Sequence, residues 1–422
     1  MKKVTAILIG AGNRGAQAYA PYGLQYPEEL QFVAVAEPDA GRREAFQRAH
    51  NLPDSSCFSS WQELLSLPKL ADAALICTQD QYHFDPAVQA FEAGYHILLE
   101  KPMSTDPIEV LKLGNLAVQH ERIFSICHVL RYTEFFSTIK EMVTSHKIGD
   151  LISIQHNENV AYWHQAHSYV RGNWRNSRES SPMILAKSCH DMDILLWLAG
   201  SDCKRISSFG SLSHFKAEHA PSGATDRCMN GCPHADTCPF FAPRFYLANP
   251  EWGYVLTNDI SDAGIMKALE EGPYGRCVYK CDNDVVDHQV VNIEFENDVT
   301  AAFTMCAFTN EYARTIKLMG TRGEIKGIMS FNKCELELTD FLTGKKELIT
   351  LTSGVDDHGG GDSGLIRSFT SLVRDDNIHA GLSSASESVQ SHLMAFAAEK
   401  SRVEHQVIEF ENFVEEVKAR LL

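Results

Sequence analysis

Residues 4–15, VTAILIGAGNRG, run from an apolar hexapeptide straight into a glycine-spaced turn. The hexapeptide reads as a buried strand. Gly10, Gly12 and Gly15 then fit G-x-G-x-x-G, with a helix expected from Ala16. Gly10 allows the tight turn, Gly12 lets the backbone approach a pyrophosphate, and Gly15 lets helix and strand pack closely. Asn13 and Arg14 complete the turn, and the pyrophosphate would rest on the helix N-terminus. The spacing alone is a weak signal, because any strand–turn–helix rich in glycine satisfies it.

The flanking sequence strengthens it. A second strand, FVAVAE, ends in Glu37, whose carboxylate can accept the ribose hydroxyls of NAD and repel a 2′-phosphate. Arg42 and Arg43 follow closely and keep NADP open as the less favoured cofactor. Strands at 71–78, 95–102 and 122–132 alternate with helices at 85–94 and 106–119. This alternation predicts a doubly wound parallel sheet with its ligand at the carboxyl ends of the strands. Thr78, Asp80, His83, Glu100, Lys101 and Pro102 all fall at such ends.

At 422 residues the chain is long for one core, and two domains are expected. The formal net charge of −17, with no basic run, argues against nucleic acid. No apolar run is long enough to span a membrane, and a glycine turn stands where a signal peptide would carry its cleavage site. A cytoplasmic protein is expected. Twelve cysteines in that setting point to reduced, buried or metal-bound thiols rather than disulfides.

GAGNRG, the stretch CTQDQYHFDPAVQAFEAGYHILLEKPMS (77–104) and CHDMDILLWLAG (189–200) together resemble the Gfo/Idh/MocA family of NAD(P)-dependent oxidoreductases. The most specific part is E-K-P with its upstream T-x-x-x-x-H. The resemblance implies an N-terminal Rossmann domain (1–128). It also implies a C-terminal α+β domain (129–422) with a large open, mostly antiparallel sheet used for homo-oligomer formation. The terminal helices are expected at 364–422. By the same resemblance Lys101 is the active-site lysine, on the substrate hydroxyl and the nicotinamide ribose, and Glu100 lies near the nicotinamide. Thr78 and His83 join the cofactor set, and a cis bond is allowed before Pro102. His190 is the acid/base histidine. Many members carry an aspartate four residues before it; here that position is Ala186, with Lys187 next.

Residues 183–199 read as one helix, with Lys187 and His190 sharing a face. A metal site, a thiol nucleophile at Cys189 and a proton relay are all open here; the relay fits hydride chemistry best, with Lys187 holding the developing alkoxide. The preceding stretch, 161–183, is rich in aromatic and cationic side chains. Tyr162, Trp163, His164, His167, Arg171, Trp174 and Arg175 are its substrate candidates, joined by Asp191 and by His358 of the glycine loop 356–365. That loop is expected to close over substrate.

Cys228, Cys232 and Cys238, with Cys277 first and Cys281 in reserve, make a metal-ligand candidate in an insertion at about 213–284. Structural zinc, an iron–sulfur cluster and unliganded thiols remain open. The insertion is expected to lie away from hydride transfer. Ser384 with Glu387 fits a capping box for the helix that follows. The function expected is hydride transfer on a sugar, sugar derivative or cyclitol. The alternatives are an NAD-dependent glycosidase working by transient oxidation and elimination, and a non-catalytic sugar- or NAD-sensing regulator.

Overall fold

The computed structural model describes residues 2–352, 359–378, 381–382 and 385–421. His358 and Ser384 lie outside the described residues.

Six strands form the first sheet: β1 (Val4–Ile9), β2 (Leu30–Ala36), β3 (Cys57–Phe58), β4 (Ala73–Ile76), β5 (His96–Leu99) and β6 (Phe124–Ile126). Their order is β3-β2-β1-β4-β5-β6, all parallel. Both faces are covered. On β1, Ala6 and Leu8 face one core, and Ile7 and Ile9 face the other. Such two-sided burial explains why these strands read as continuous apolar runs rather than alternating ones. The expected strand over 122–132 shortens to three residues and gives way to a tight helical turn at Val129–Tyr132.

The glycine turn has the constraints its sequence implies. Gly10 sits at φ +92°, and a Cβ there would lie 2.6 Å from the Cys77 carbonyl oxygen. A Cβ on Gly15 would come within 2.2 Å of the Gly10 carbonyl oxygen. A Cβ on Gly12 would meet only Arg42 Nη1, 4.0 Å away, so the backbone there is open to a ligand. The helix that follows begins with a widened turn, in which Ala20 N–H donates to the Gly15 carbonyl.

The second sheet has nine strands: β7 (Leu151–Asn159), β8 (Cys203–Ser211), β9 (His288–Phe295), β10 (Thr300–Cys306), β11 (Ala313–Gly320), β12 (Gly323–Ser330), β13 (Cys334–Asp340), β14 (Lys346–Thr350) and β15 (Ile408–Glu409). The order is β14-β13-β12-β11-β7-β10-β9-β8-β15, antiparallel except where β10 runs with β7. Helices 134–144, 189–199 and 385–404 bury one face. The other face is open and carries exposed Phe209, Val290 and Leu348.

The C-terminal helices do not all stay with the second sheet. Helix 361–375 returns to the first domain, where Leu365, Ile366, Phe369 and Val373 join Tyr19, Cys127 and Val129. Its apolar face fits the first sheet better than its place in the chain suggests. Helix 385–404 bridges both domains, with Val389 and Phe396 touching both cores.

A buried ion pair fixes the turn that follows β6 to helix 189–199. Arg131, just after β6, donates from Nε and Nη2 to the two oxygens of Asp193 at 2.7 and 2.8 Å. Both side chains are fully buried. Arg131→Met should therefore cost about 3–5 kcal/mol in a urea unfolding experiment, because it strands a buried carboxylate. The double variant Arg131→Met/Asp193→Leu should recover most of that loss; equal losses in the two proteins would show that the pairing is not what Arg131 contributes.

Candidate active site

The carboxyl edge of the first sheet gathers the residues that matter. Glu37, at the end of β2, accepts from Ala11 N–H at 2.7 Å and from Asp39 N–H at 3.0 Å. Its carboxylate is thereby fixed against the glycine turn. Arg43 turns away and donates to the Glu37 carbonyl. Arg14 pairs with Glu100 and with Asp362 at the start of helix 361–375, and Tyr19 O–H also donates to Glu100. Burial alone would raise the Glu100 pKa, but Arg14 and then Lys101 outweigh it and hold the carboxyl below its ordinary range. The end of the glycine loop thus closes on Arg14 through Asp362.

His83 and Thr78 do structural work at this edge. The two ring nitrogens of His83 face the carbonyls of Pro102 (2.6 Å) and Thr78 (3.0 Å), and Thr78 Oγ1 donates to the Tyr82 carbonyl. The Lys101–Pro102 peptide is cis.

Lys101 reaches into the second domain. Its Nζ donates to the Ala186 carbonyl at 2.8 Å. The expected single helix over 183–199 is in fact two, Met183–Ala186 and Cys189–Ala199, and the break frees the carbonyl that Lys101 takes. Lys187 and His190 therefore do not sit on one regular helical face. His190 lies in the first turn of the second helix and is buried, with the His128 ring 6.1 Å away.

Lys187 lies in a polar cluster. Nζ donates to Tyr312 Oη at 2.8 Å and stands 3.4 Å from Glu158. Burial would lower its pKa, but Glu158, then Tyr312 and Tyr169, more than offset this and hold the ammonium above the usual lysine value. Lys187 is a fixed cation, not a base. Burial pushes Cys189 up to about 12, so it is a neutral thiol unsuited to nucleophilic attack.

Asp191 is fully buried between Arg314 Nε and His156 Nε2, both at 2.8 Å, and Arg314 also pairs with Glu158. Its oxygens are taken up by this network, which corrects its expected role as a substrate contact.

The stretch 161–183 splits into two faces. Trp163 and His164 pack with Tyr312, at 6.3 and 5.1 Å between ring centres, beside Lys187. Trp174 Nε1 donates to both oxygens of buried Asp80, at 3.1 Å each, and so ties this stretch to the first domain. The other residues face the insertion. His167 Nδ1 meets Tyr246 Oη at 2.6 Å, and its ring stacks on Tyr274. Tyr162 packs edge-on against Phe240. Arg171 Nε donates to the Arg276 carbonyl and Nη2 to the Phe240 carbonyl, both at 2.7 Å. Arg175 pairs with Asp282 and Glu179. These four are anchors for the insertion rather than substrate clamps. Nor does the insertion lie apart from the site: its Trp252 packs on Trp163 at 5.1 Å and on His164 at 5.5 Å.

Sequence reasoning overlooks several residues here: His128, His392, Glu158, Trp252, Tyr312 and Arg314. Only His128 carries a local signal, because it follows the end of β6. Among the described residues neither of its ring nitrogens has a hydrogen-bond partner, and the nearest carboxylate, Asp193, is 3.6 Å away. His392 accepts from Met103 N–H through Nε2 and faces the Ser388 carbonyl through Nδ1.

A parallel dinucleotide-type sheet joined to an open sheet, with a strand-end lysine bonded to the second domain beside a buried histidine, defines a two-domain nucleotide-dependent oxidoreductase. The comparisons agree. Residues 4–128 match the NAD-binding Rossmann domain of the Gfo/Idh/MocA oxidoreductase family, and residues 140–409 match that family's C-terminal alpha/beta domain. The chain belongs to this family. It is 22% identical to the Bacillus subtilis protein YteT over 84% of this chain and 86% of that one. It is 30% identical to inositol 2-dehydrogenase of Leifsonia xyli, over 40% of this chain and 45% of that relative's length. Levoglucosan dehydrogenase, solved with NADH and levoglucosan, shares the fold at TM-score 0.71 and 15% identity, covering 97% of this chain and 100% of that one.

Burial holds His392 neutral, pushing its pKa down from 6.5 to about 3. The folded value lies below the unfolded one, so this contribution is fully present above pH 6.5 and is lost as pH falls toward 3. Between pH 6.5 and 4 the residue should cost up to about 1.4 kcal/mol of stability per pH unit. His392→Gln should flatten the pH dependence of the urea midpoint by that share; an unchanged slope would count against a neutral buried imidazole.

Proposed function

We propose that the protein transfers hydride between NAD and a secondary hydroxyl of a sugar, sugar derivative or cyclitol, with Lys101 and His190 handling the hydroxyl. The observation that carries this reading is the Lys101 contact. An ammonium at the edge that bears the glycine turn donates to the backbone just ahead of His190. The named activities of the inositol and levoglucosan dehydrogenases support the substrate class.

The turn at Gly10, Gly12 and Gly15 fits a pyrophosphate, because the backbone is open at Gly12, and Glu37 stands where ribose hydroxyls need an acceptor. Asn13 and Arg14 flank that cradle. Bound NAD would supply the hydride acceptor, or NADH the donor.

The protein's own groups do the rest. Lys101 donates to the substrate oxygen and stabilises negative charge developing there. His190 takes the hydroxyl proton during oxidation and returns it during reduction. Lys187, kept cationic by Glu158, adds positive potential on the same side. Trp163 and His164 offer ring faces to the C–H patches of a sugar, with Trp174 held nearby by Asp80. The open face of the nine-stranded sheet supports self-association, which size-exclusion chromatography with light scattering can measure.

Lys101→Met should lower kcat for NADH formation at least about 100-fold while leaving NAD affinity within a few-fold. The assay is a panel of sugars, cyclitols and glycosides followed for NADH and for aglycone release. An active Lys101→Met enzyme would remove the mechanism, and aglycone release without net NADH would replace dehydrogenation with the eliminating glycosidase.

Glu37→Ala should shift the kcat/KM ratio of NAD to NADP toward NADP by about tenfold or more, through loss of a ribose acceptor and of a charge that opposes a 2′-phosphate. A ratio that does not move would show that Glu37 does not read the ribose.

A further inference from the structure

We propose that Cys228, Cys232, Cys238 and Cys277 form a tetrathiolate site for a soft metal ion, zinc by its chemistry, on which the substrate-facing stretch 162–175 is anchored. The four thiols come from three separated turns of the insertion and line one cavity, with Arg171 in its wall. Cys281 is not in the lining; its Sγ bonds back to the Cys277 carbonyl.

The sulfurs are supplied with donors in a repeating way. The backbone N–H two residues on points at the thiol of Cys232 (from His234), of Cys238 (from Phe240) and of Cys277 (from Tyr279). Thr225 adds a backbone donor at Cys232. A thiol gains little from such donors, whereas a thiolate gains much, and donors of this kind orient and tune metal-bound sulfurs. Pro233 and Pro239 directly follow two of the cysteines and hold those turns.

Charge gives an independent argument. Arg171 is buried, and among the described residues no carboxylate lies within ion-pair distance of it. Two of its contacts are carbonyls; the remaining one is Cys228 Sγ, 3.6 Å from Nη2. A buried guanidinium calls for a negative partner. Four thiolates around a divalent ion carry a net charge of about −2. Arg171 supplies one compensating charge at the cavity wall; Lys280 is nearby but already pairs with Asp226.

The thiols ring the cavity without converging. Among the described residues no group of three or more His, Cys, Asp or Glu side chains is arranged so that it could hold an ion as it stands. All twelve cysteines are free of disulfides, and binding an ion requires these four sulfurs to close on the cavity they line. Ion binding then breaks four S–H bonds, forms four metal–sulfur bonds and releases four protons to solvent, with no oxidation or reduction.

The test uses the full chain, purified under reducing conditions without chelator or polyhistidine tag and then incubated with Zn²⁺ and desalted. Elemental analysis should find about one zinc per chain. Cys232→Ser and Cys277→Ser should each lose it, and Cys281→Ser should keep it. Arg171→Met, which removes no ligand, should weaken zinc about 10–100-fold in a competition titration against a chromophoric chelator. Thiol-reactive titration of the wild-type chain, with zinc release followed alongside, keeps the proposal testable if the serine variants fail to fold. Wild-type protein that retains no zinc, that shows a Cys–Cys disulfide by mass spectrometry, or that holds iron with inorganic sulfide would overturn it.

Discussion

The Arg131–Asp193 pair is the constraint on which the site depends. Neither charge touches water, so the pair gains little net stability over an apolar substitute. Its effect is on geometry. Arg131 follows β6 at the edge of the first sheet, and Asp193 lies one turn after His190 in helix 189–199. Sliding that helix against the sheet would strand the buried Asp193 carboxylate and leave Arg131 only its contact to Glu387 and a carbonyl. Lys101 makes the second contact, to the carbonyl of Ala186, and it can do so only because the helix is broken before Cys189. Two polar contacts thus tie the edge of the first sheet to the segment that carries Lys187, His190 and Asp193.

The glycine turn is secured in the same manner. Arg14 lies inside it and is pinned by Glu100 from the next-but-one strand edge and by Asp362 from helix 361–375. That helix belongs in sequence to the second half of the chain but packs on the first sheet. A segment that returns across a domain boundary makes the two halves cooperative, since neither completes its core alone. The same holds for helix 385–404, whose Val389 and Phe396 serve both cores.

The parts legible in sequence are those set by local periodicity and backbone chemistry. β1 and its glycine turn, the alternation that follows, and the strand-end positions of Glu37, Glu100 and Lys101 all arise from patterns a few residues long. The parts that are not legible depend on distant partners. Nothing near Asp191 announces that Arg314 and His156, more than a hundred and some thirty positions away along the chain, will enclose it. Nothing in 161–183 separates Trp163 and His164, which join Lys187 and Tyr312, from His167, Arg171 and Arg175, which bind the insertion. Aromatic and cationic content marks the stretch as unusual but does not say which way each side chain turns. The break before Cys189 is likewise a tertiary effect, because the local sequence favours continuing the helix.

The insertion shows why its position in the fold matters more than its position in the chain. It builds small cores of its own: one gathers Cys228, Tyr246, Ile265 and Leu269, and a second borrows Ala166 and Val170 from the substrate-facing stretch. So few apolar side chains cannot hold some seventy residues with much to spare. The insertion therefore leans on the body of the protein, and it leans on the one stretch whose opposite face meets Lys187. Trp252 crosses over to pack on Trp163 and His164. Whatever stiffens the insertion must also stiffen the aromatic wall of the site. A change in the cysteine turns would reach that wall through Arg171 and one short helix, without any residue of the first domain having to move.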